Sequence, residues 1–305
     1  MQNWRFHAKP ELGLANDISA ALALLEADGT FALPDLRSFG HVLVSSDYSG
    51  EHKGVLYRTY GVLFAGEEGL REWNDARLVV RDAYLPNGRR MSFKDLRDEA
   101  RQRALVPFLT AADKIPGVLF VLAVGVDVDN LFAEAAIEQA VNLFPDWKPG
   151  PMTKLLTLTH WISLFLGGLS APDQVFTWIT DKDAIAANDA RLNDLGTVFL
   201  QTLSGYLPHT FKQVQVGTTA NDPPDRFLED LCGISDLCAG ATAASLVPGG
   251  VRRRGDVHEK VRTIVGWMGQ AAGISAQPPL RRVVLTIDKT PTGALHLVPI
   301  GFRRE

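Results

Sequence analysis

The chain has 305 residues, of which 46% are apolar and 22% charged, and its formal net charge is −4. That length and apolar share allow a sizeable core in one large α/β domain or two small ones. The mild negative charge excludes a molecule that attracts nucleic acid over its whole surface, and two cysteines exclude a disulfide-built scaffold. The stretch Met1 to Ala8 is polar and lacks an apolar signal region, so a cytoplasmic protein is expected.

Residues 1–38 read as a helical lead-in, Ala- and Leu-rich from Asp17 to Ala27. His41 to Ser46 is a short apolar strand ending at Asp47, and Gly54 to Ala65 a second, so 41–65 is expected to form a hairpin. A helix over Glu67 to Asp75 and a strand over Arg77 to Leu85 follow, closed by the turn signal Pro86-Asn87-Gly88. Ser92 to Ala112 reads as a helix with Ser92 as N-cap. The near-continuous apolar run Val118 to Val126 suits a strand covered on both faces.

Two helices, Leu131 to Leu143 and Met152 to Leu169, read as an insertion or lid at about 131–172. Within it, Leu155 to Leu169 is too short for a membrane span and contains His160, so it reads as a buried core helix. Val175 to Ile179 is a further strand and ends at Thr180-Asp181. A helix over Asp189 to Leu203, a strand over Phe211 to Val216 and a small-residue helix over Arg226 to Leu246 come next. Cys232 and Cys238 stand about 9 Å apart along that helix, too far for a disulfide. A basic loop Gly249 to Gly255, a helix His258 to Gly273 and a hairpin of Arg282 to Ile287 with Ala294 to Ile300 end the chain. The order predicts an α/β fold with a mixed sheet flanked by helices. Its parts are the lead-in 1–38, a core over 39–250 with the helical insertion, and residues 251–305 packed on the core.

Three aspartates stand out by position. Asp47 and Asp181 end apolar strands, and Asp236 lies in the 226–246 helix with Cys232, Gly233, Ala239 and Gly240 around it. Such small neighbours let a helix approach a sheet closely, and a carboxylate on that face is costly unless paired, hydrogen-bonded or metal-bound. Two strand-end carboxylates and one helical carboxylate converging at a sheet edge suit Mg2+ or Mn2+. Two such ions about 3.5–4 Å apart serve phosphodiester cleavage. Each aspartate also has a plainer role open to it: Asp47 in the turn with Ser49 and Gly50, Asp181 as a helix cap, Asp236 as an exposed helix residue.

The segments Val42-Leu43-Val44-Ser45-Ser46-Asp47-Tyr48-Ser49-Gly50, Phe176-Thr177-Trp178-Ile179-Thr180-Asp181 and Gly233-Ile234-Ser235-Asp236-Leu237-Cys238-Ala239-Gly240-Ala241 carry a resemblance. Over roughly 41–246 the chain resembles the ribonuclease H-like family known as domain of unknown function 3800. Members open with an Asp-x-Ser-Gly turn, followed by a strand comparable to Tyr60 to Ala65. The resemblance implies a ribonuclease H-like sheet and a metal-dependent nuclease site carried by Asp47, Asp181 and Asp236. The chain departs from the family in two places. Tyr48 stands where the family has Glu, and Ser92-Phe93-Lys94 matches its Glu-x-Lys motif without the Glu. Candidates for a fourth acidic ligand are Asp98, Glu99 and Glu51, in that order, with Lys94 and His52 as further polar groups.

Asp127-Val128-Asp129-Asn130 follows an apolar strand in the manner of haloacid dehalogenase-type phosphatases, whose first Asp is a nucleophile. Capping of the next helix is the competing role. No Gly-rich phosphate loop and no His-Glu-x-x-His pair is present. Basic pairs and triplets occur at Arg89-Arg90, Arg252-Arg253-Arg254, Arg281-Arg282 and Arg303-Arg304, and the 252–254 loop is the first candidate for nucleic-acid contact. The expected function is a Mg2+- or Mn2+-dependent nuclease acting on DNA, RNA or a hybrid. The competing readings are a degenerate ribonuclease H-like binding or scaffold protein and a phosphatase centred on Asp127.

Overall fold

The computed structural model describes residues 2–6, 8–29, 32–52, 54–128, 131–247, 250–252, 258–269, 279–290 and 292–300. Its frame is one mixed sheet built from β1 (His41–Ser49), β2 (Tyr57–Gly66), β3 (Gly117–Gly125), β4 (Val175–Thr180) and β5 (Gln213–Thr218), with β8 (Leu280–Lys289) and β9 (Leu295–Ile300). A two-stranded hairpin, β6 (Leu246–Val247) with β7 (Gly250–Val251), stands apart. Across the main sheet the order is β5-β4-β1-β2-β3-β8-β9. Only β2 and β9 run against their neighbours. This is the α/β, ribonuclease H-like mixed sheet flanked by helices that the sequence predicts. The terminal hairpin continues the sheet beyond β3.

Helices cover both faces. On one side lie α1 (Leu14–Ala27), α5 (Pro149–Leu169) and α6 (Asp189–Tyr206), sharing a core with Val42, Val44, Phe64 and Phe120. On the other lie α2 (Arg71–Tyr84), α3 (Glu99–Ala112), α7 (Phe227–Ser245) and α8 (Glu259–Gly269), packed on Leu43, Leu63 and Leu119. The alternation of odd and even residues between these cores is the period-two signature of a strand. Every residue of β3 is buried, as its unbroken apolar run requires.

Fourteen of the 21 residues of α5 are buried, so this helix is part of the core and not a lid. Phe165 stacks on Phe120 with ring centroids 3.7 Å apart. The shorter α4 (Glu134–Leu143) leads into it. Among the described residues no helix is long and apolar enough to cross a membrane. Cys232 and Cys238 are free and buried.

Two predicted elements are corrected. The strand expected over Arg77 to Leu85 is the second half of α2, whose buried residues Trp73, Arg77, Val80 and Arg81 fall on one helical stripe. The helix expected from Ser92 starts instead at Glu99. Asp98 caps it by accepting the Arg101 N–H at 3.1 Å, while residues 92–97 form a turn-rich loop.

The close approach of α7 to the sheet depends on glycine. Gly61 pairs with Asp47 across β1 and β2, and a Cβ added there would stand 2.6 Å from the Ser235 carbonyl oxygen. Backbone cannot yield as a side chain can, so Gly61→Ala is expected to push α7 outward at a cost of about 1–3 kcal/mol. A thermal melt checks this against Gly196→Ala in α6. There nothing lies within 4 Å of the new methyl, and a gain of about 0.5–1 kcal/mol is expected.

Candidate functional site

Asp47 lies on the α7 side of β1. Strand alternation puts it in line with Leu43 and Ser45, and the Ser45 hydroxyl donates to the Leu231 carbonyl of α7 at 3.1 Å. Asp181 follows β4 directly. Ser46 pairs with Thr180 in parallel register, so the next residues lie side by side, about 4.8 Å between strand axes: Asp181 just past the end of β4, and Asp47 still inside β1, which runs on to Ser49 instead of ending at the aspartate as the sequence predicts. Asp236 comes from the middle of α7 and accepts the Phe93 N–H at 2.7 Å. The Ser92 hydroxyl also donates to it. The loop holding these donors reaches in because α7 is thin there. Gly233 lies against the Met91 carbonyl, where a Cβ would be a tight fit at 3.0 Å, and Gly240 against the Phe93 ring, where a Cβ would stand 2.3 Å away and leave no room for a side chain.

The electrostatics tie the three carboxylates together. Burial pushes the Asp47 carboxyl well above its ordinary value, and the charge of Asp236 pushes it further, followed by those of Asp181 and Asp183. Against this it accepts its neighbour's Tyr48 N–H at 2.7 Å. Burial raises Asp236 too, opposed first by the Phe93 N–H and Ser92 hydroxyl and then by Lys94 and Arg90. Asp181 accepts from the Thr219 hydroxyl at 2.8 Å and the Lys182 N–H at 3.0 Å, and Arg90 approaches its second oxygen at 3.3 Å.

Asp183 is an acidic neighbour that sequence reasoning missed. It accepts the Ile185 N–H at 3.1 Å and the Tyr48 phenol, and burial raises its carboxyl. The signal was in Asp181-Lys182-Asp183, a second acid one residue beyond the first just past a strand end. Tyr48 points to the α5 side, where Lys154 sits 3.7 Å from its ring centroid and pairs with Glu51.

The candidates for a fourth ligand fall elsewhere. Asp98 is the α3 cap and pairs with Arg89, Glu99 is exposed in the first turn of α3, and Glu51 is engaged by Lys154. His52 is exposed. Lys94 is exposed near Asp236.

No protein-family model matches this chain, and no curated protein matches it. Among the described residues, no three His, Cys, Asp or Glu side chains close into a ready-made cage for a metal ion. What the site offers is a set of hard oxygen donors at one end of the sheet, with burial and then mutual repulsion raising Asp47. Hard carboxylate oxygens are the donor type that Mg2+ and Mn2+ take.

The basic groups divide in the same way. Arg90 is 39% exposed beside Asp181, and Arg252 is exposed. Arg253, Arg254, Arg303 and Arg304 lie outside the described residues. Arg282 is not available to a phosphate, being 2% exposed, paired with Asp113 at 3.0 Å and stacked 4.0 Å from the Trp267 ring centroid. Asp127 lies past the end of β3 against Asp288 of β8, with β2 between its strand and that of Asp47. The Asp129 of the same motif is outside the described residues.

Proposed function

We propose that the protein is a metal-dependent nuclease that hydrolyses phosphodiesters in DNA, RNA or a hybrid. The observation that carries the reading is the placement of Asp47 and Asp181 on adjacent parallel strands with Asp236 on the helix pressed onto them, burial and then the charge of Asp236 raising Asp47. These three side chains would hold Mg2+ or Mn2+. A divalent ion there supplies a Lewis acid and a water made nucleophilic near neutral pH. The chain's own part is to hold the carboxylates on rigid elements. The Phe93 and Tyr48 N–H groups fix the orientation of Asp236 and Asp47. Arg90 and Lys94 stand at the exposed rim, where cations meet backbone phosphates. The family resemblance and the sheet order support the same assignment.

The test is Mn2+ titration followed by thermal melting, together with cleavage of labelled single-stranded, duplex and hybrid substrates. Free Mn2+ at about 100 times its Kd is expected to stabilise the fold by about 2.7 kcal/mol. The gain should shrink as pH falls, because protons compete for the raised Asp47 carboxyl and the ion binds its ionised form. Asp181→Asn is expected to lose both the shift and the cleavage. A wild type that neither binds Mn2+ nor cleaves transfers the assignment to a degenerate ribonuclease H-like binding or scaffold protein. The contact between Arg90 and Asp181 favours that second reading, since the guanidinium occupies a carboxylate oxygen that a metal needs.

A further inference from the structure

The sheet face opposite α7 carries a cavity of different character. It holds about 330 Å3 between α1, α5, the end of α6 and the segment 131–136. Its walls include Ile18, Leu131, Phe132, Trp161, Leu164 and Tyr206. Among the described residues no Lys or Arg lines it, and the one acidic lining residue, Glu11, is exposed.

Three polar side chains, Thr157, His160 and Tyr206, are set among these apolar walls, and the Thr157 hydroxyl is turned back to the Thr153 carbonyl. His160 Nδ1 lies 2.9 Å from the Tyr206 hydroxyl, and the imidazole is flanked by the Phe132 ring at 5.1 Å and the Tyr206 ring at 5.6 Å between centroids. Burial pushes His160 down to about 4, so the imidazole is neutral at physiological pH. Tyr206 is pushed up to about 12 by burial and keeps its proton. With Nδ1 engaged, Nε2 is left for a ligand, and no hydrogen bond to it occurs among the described residues.

The volume sets the size of the guest. Small-molecule sites span about 300–1,000 Å3, and an apolar cavity of about 150 Å3 accepts one benzene ring. About 330 Å3 therefore accommodates two fused rings. An ionised guest would lose its hydration with no counter-charge to replace it. An uncharged hydroxyl both donates and accepts, so it satisfies Nε2 in either tautomer of His160.

We propose that this cavity is a binding site for a neutral aromatic molecule of about two rings bearing one hydrogen-bonding group, held on His160 between α1 and α5. The proposal is independent of the nuclease reading, because the cavity and the aspartate site lie on opposite faces of the sheet.

Isothermal titration of the full chain with 2-naphthol tests it. The expected result is saturable binding at one site per chain, with 2-naphthoate, the charged analogue, weaker by about tenfold or more. Ala136 is an exposed lining residue, so Ala136→Phe fills the mouth without disturbing the core and is expected to abolish binding. His160→Phe removes the polar contact and is expected to weaken binding about 3- to 10-fold, the value of one net hydrogen bond. If His160→Phe does not fold, Ala136→Phe alone decides the location. Absence of saturable 2-naphthol binding, equal binding of 2-naphthoate, or undiminished binding in folded Ala136→Phe each overturns the proposal. Loss of Mn2+ binding leaves it standing.

Discussion

Asp47→Asn is expected to give a folded, more heat-stable protein that no longer cleaves nucleic acid. Asparagine keeps the size of the side chain and an oxygen to accept the Tyr48 N–H, which Asp47 Oδ1 now takes at 2.7 Å. What it removes is charge. As a metal ligand, the loss of an anionic oxygen should lower cleavage by roughly 100-fold or more, since even groups that merely orient metal ligands are worth about 10- to 100-fold. The effect on stability has the opposite sign. Burial and then Asp236 raise the folded-state pKa of Asp47 above its ordinary 3.8. A carboxyl raised in this way costs stability at every pH above its folded pKa. The cost fades as pH falls through that value and is gone below the ordinary one. The Asn variant should therefore melt above the metal-free wild type at pH 8, with the gap closing toward acid. Mn2+ should reverse the order, stabilising the wild type alone. Melts across pH with and without Mn2+, paired with the cleavage assay, check all three outcomes. Equal cleavage by the two proteins would falsify the catalytic role of Asp47.

Asp230→Ala is expected to cause the largest loss of stability, about 3–5 kcal/mol, the usual result of stripping one partner from a buried ion pair. Asp230 is fully buried on α7. It accepts from Arg81 Nε and Nη2, both at 2.6 Å, and from Arg77 Nη1 at 3.2 Å. Arg77 is itself fully buried and also donates to the Asp225 carbonyl at 2.7 Å, with its guanidinium over the Trp73 and Phe227 rings. Alanine would leave two guanidinium groups facing each other in the core with one acidic partner, Asp225, at its edge. Urea unfolding of Asp230→Ala against Asp75→Ala measures the effect. Asp75 is exposed on α2, the helix that carries Arg77 and Arg81, and its loss should fall within about 0.5 kcal/mol. Equal, small losses would show that the cluster is a surface network with no hold on α7. The pairing ties α2 to α7, so a secondary fall in Mn2+ affinity is expected in Asp230→Ala even where the protein remains folded.

Some of this architecture follows from local sequence alone. The apolar runs ending at Asp47 and Asp181 are strands because β-branched and aromatic residues suit a pleated surface. The run ending at Val126 is the fully buried β3 because nothing polar interrupts it. The small-residue helix with Asp236 is α7, pressed on the sheet as its glycines suggested. Tertiary context overrode the sequence reading at residues 77–85. Val79 and Val80 read as a strand, yet the stripe of Trp73, Arg77, Val80 and Arg81 buries as a helix against α7. It did so again at residues 92–98, where Ser92 is engaged by Asp236 and the α3 cap moved to Asp98.

What the chain determined by itself is the set of acidic strand ends, the α/β order and the close-packing helix, because these rest on periodicity and side-chain size along short segments. Which acids meet was decided by the parallel register of β1 with β4 and by the contact of α7 at Gly61, which join residues as far apart in sequence as Gly61 and Ser235. The same holds for Asp183 beside Tyr48, and for Arg77 and Arg81 around Asp230. A charged residue carries no local mark of its partner, so its burial is settled only when the distant segment supplying the opposite charge or the hydrogen bond folds against it.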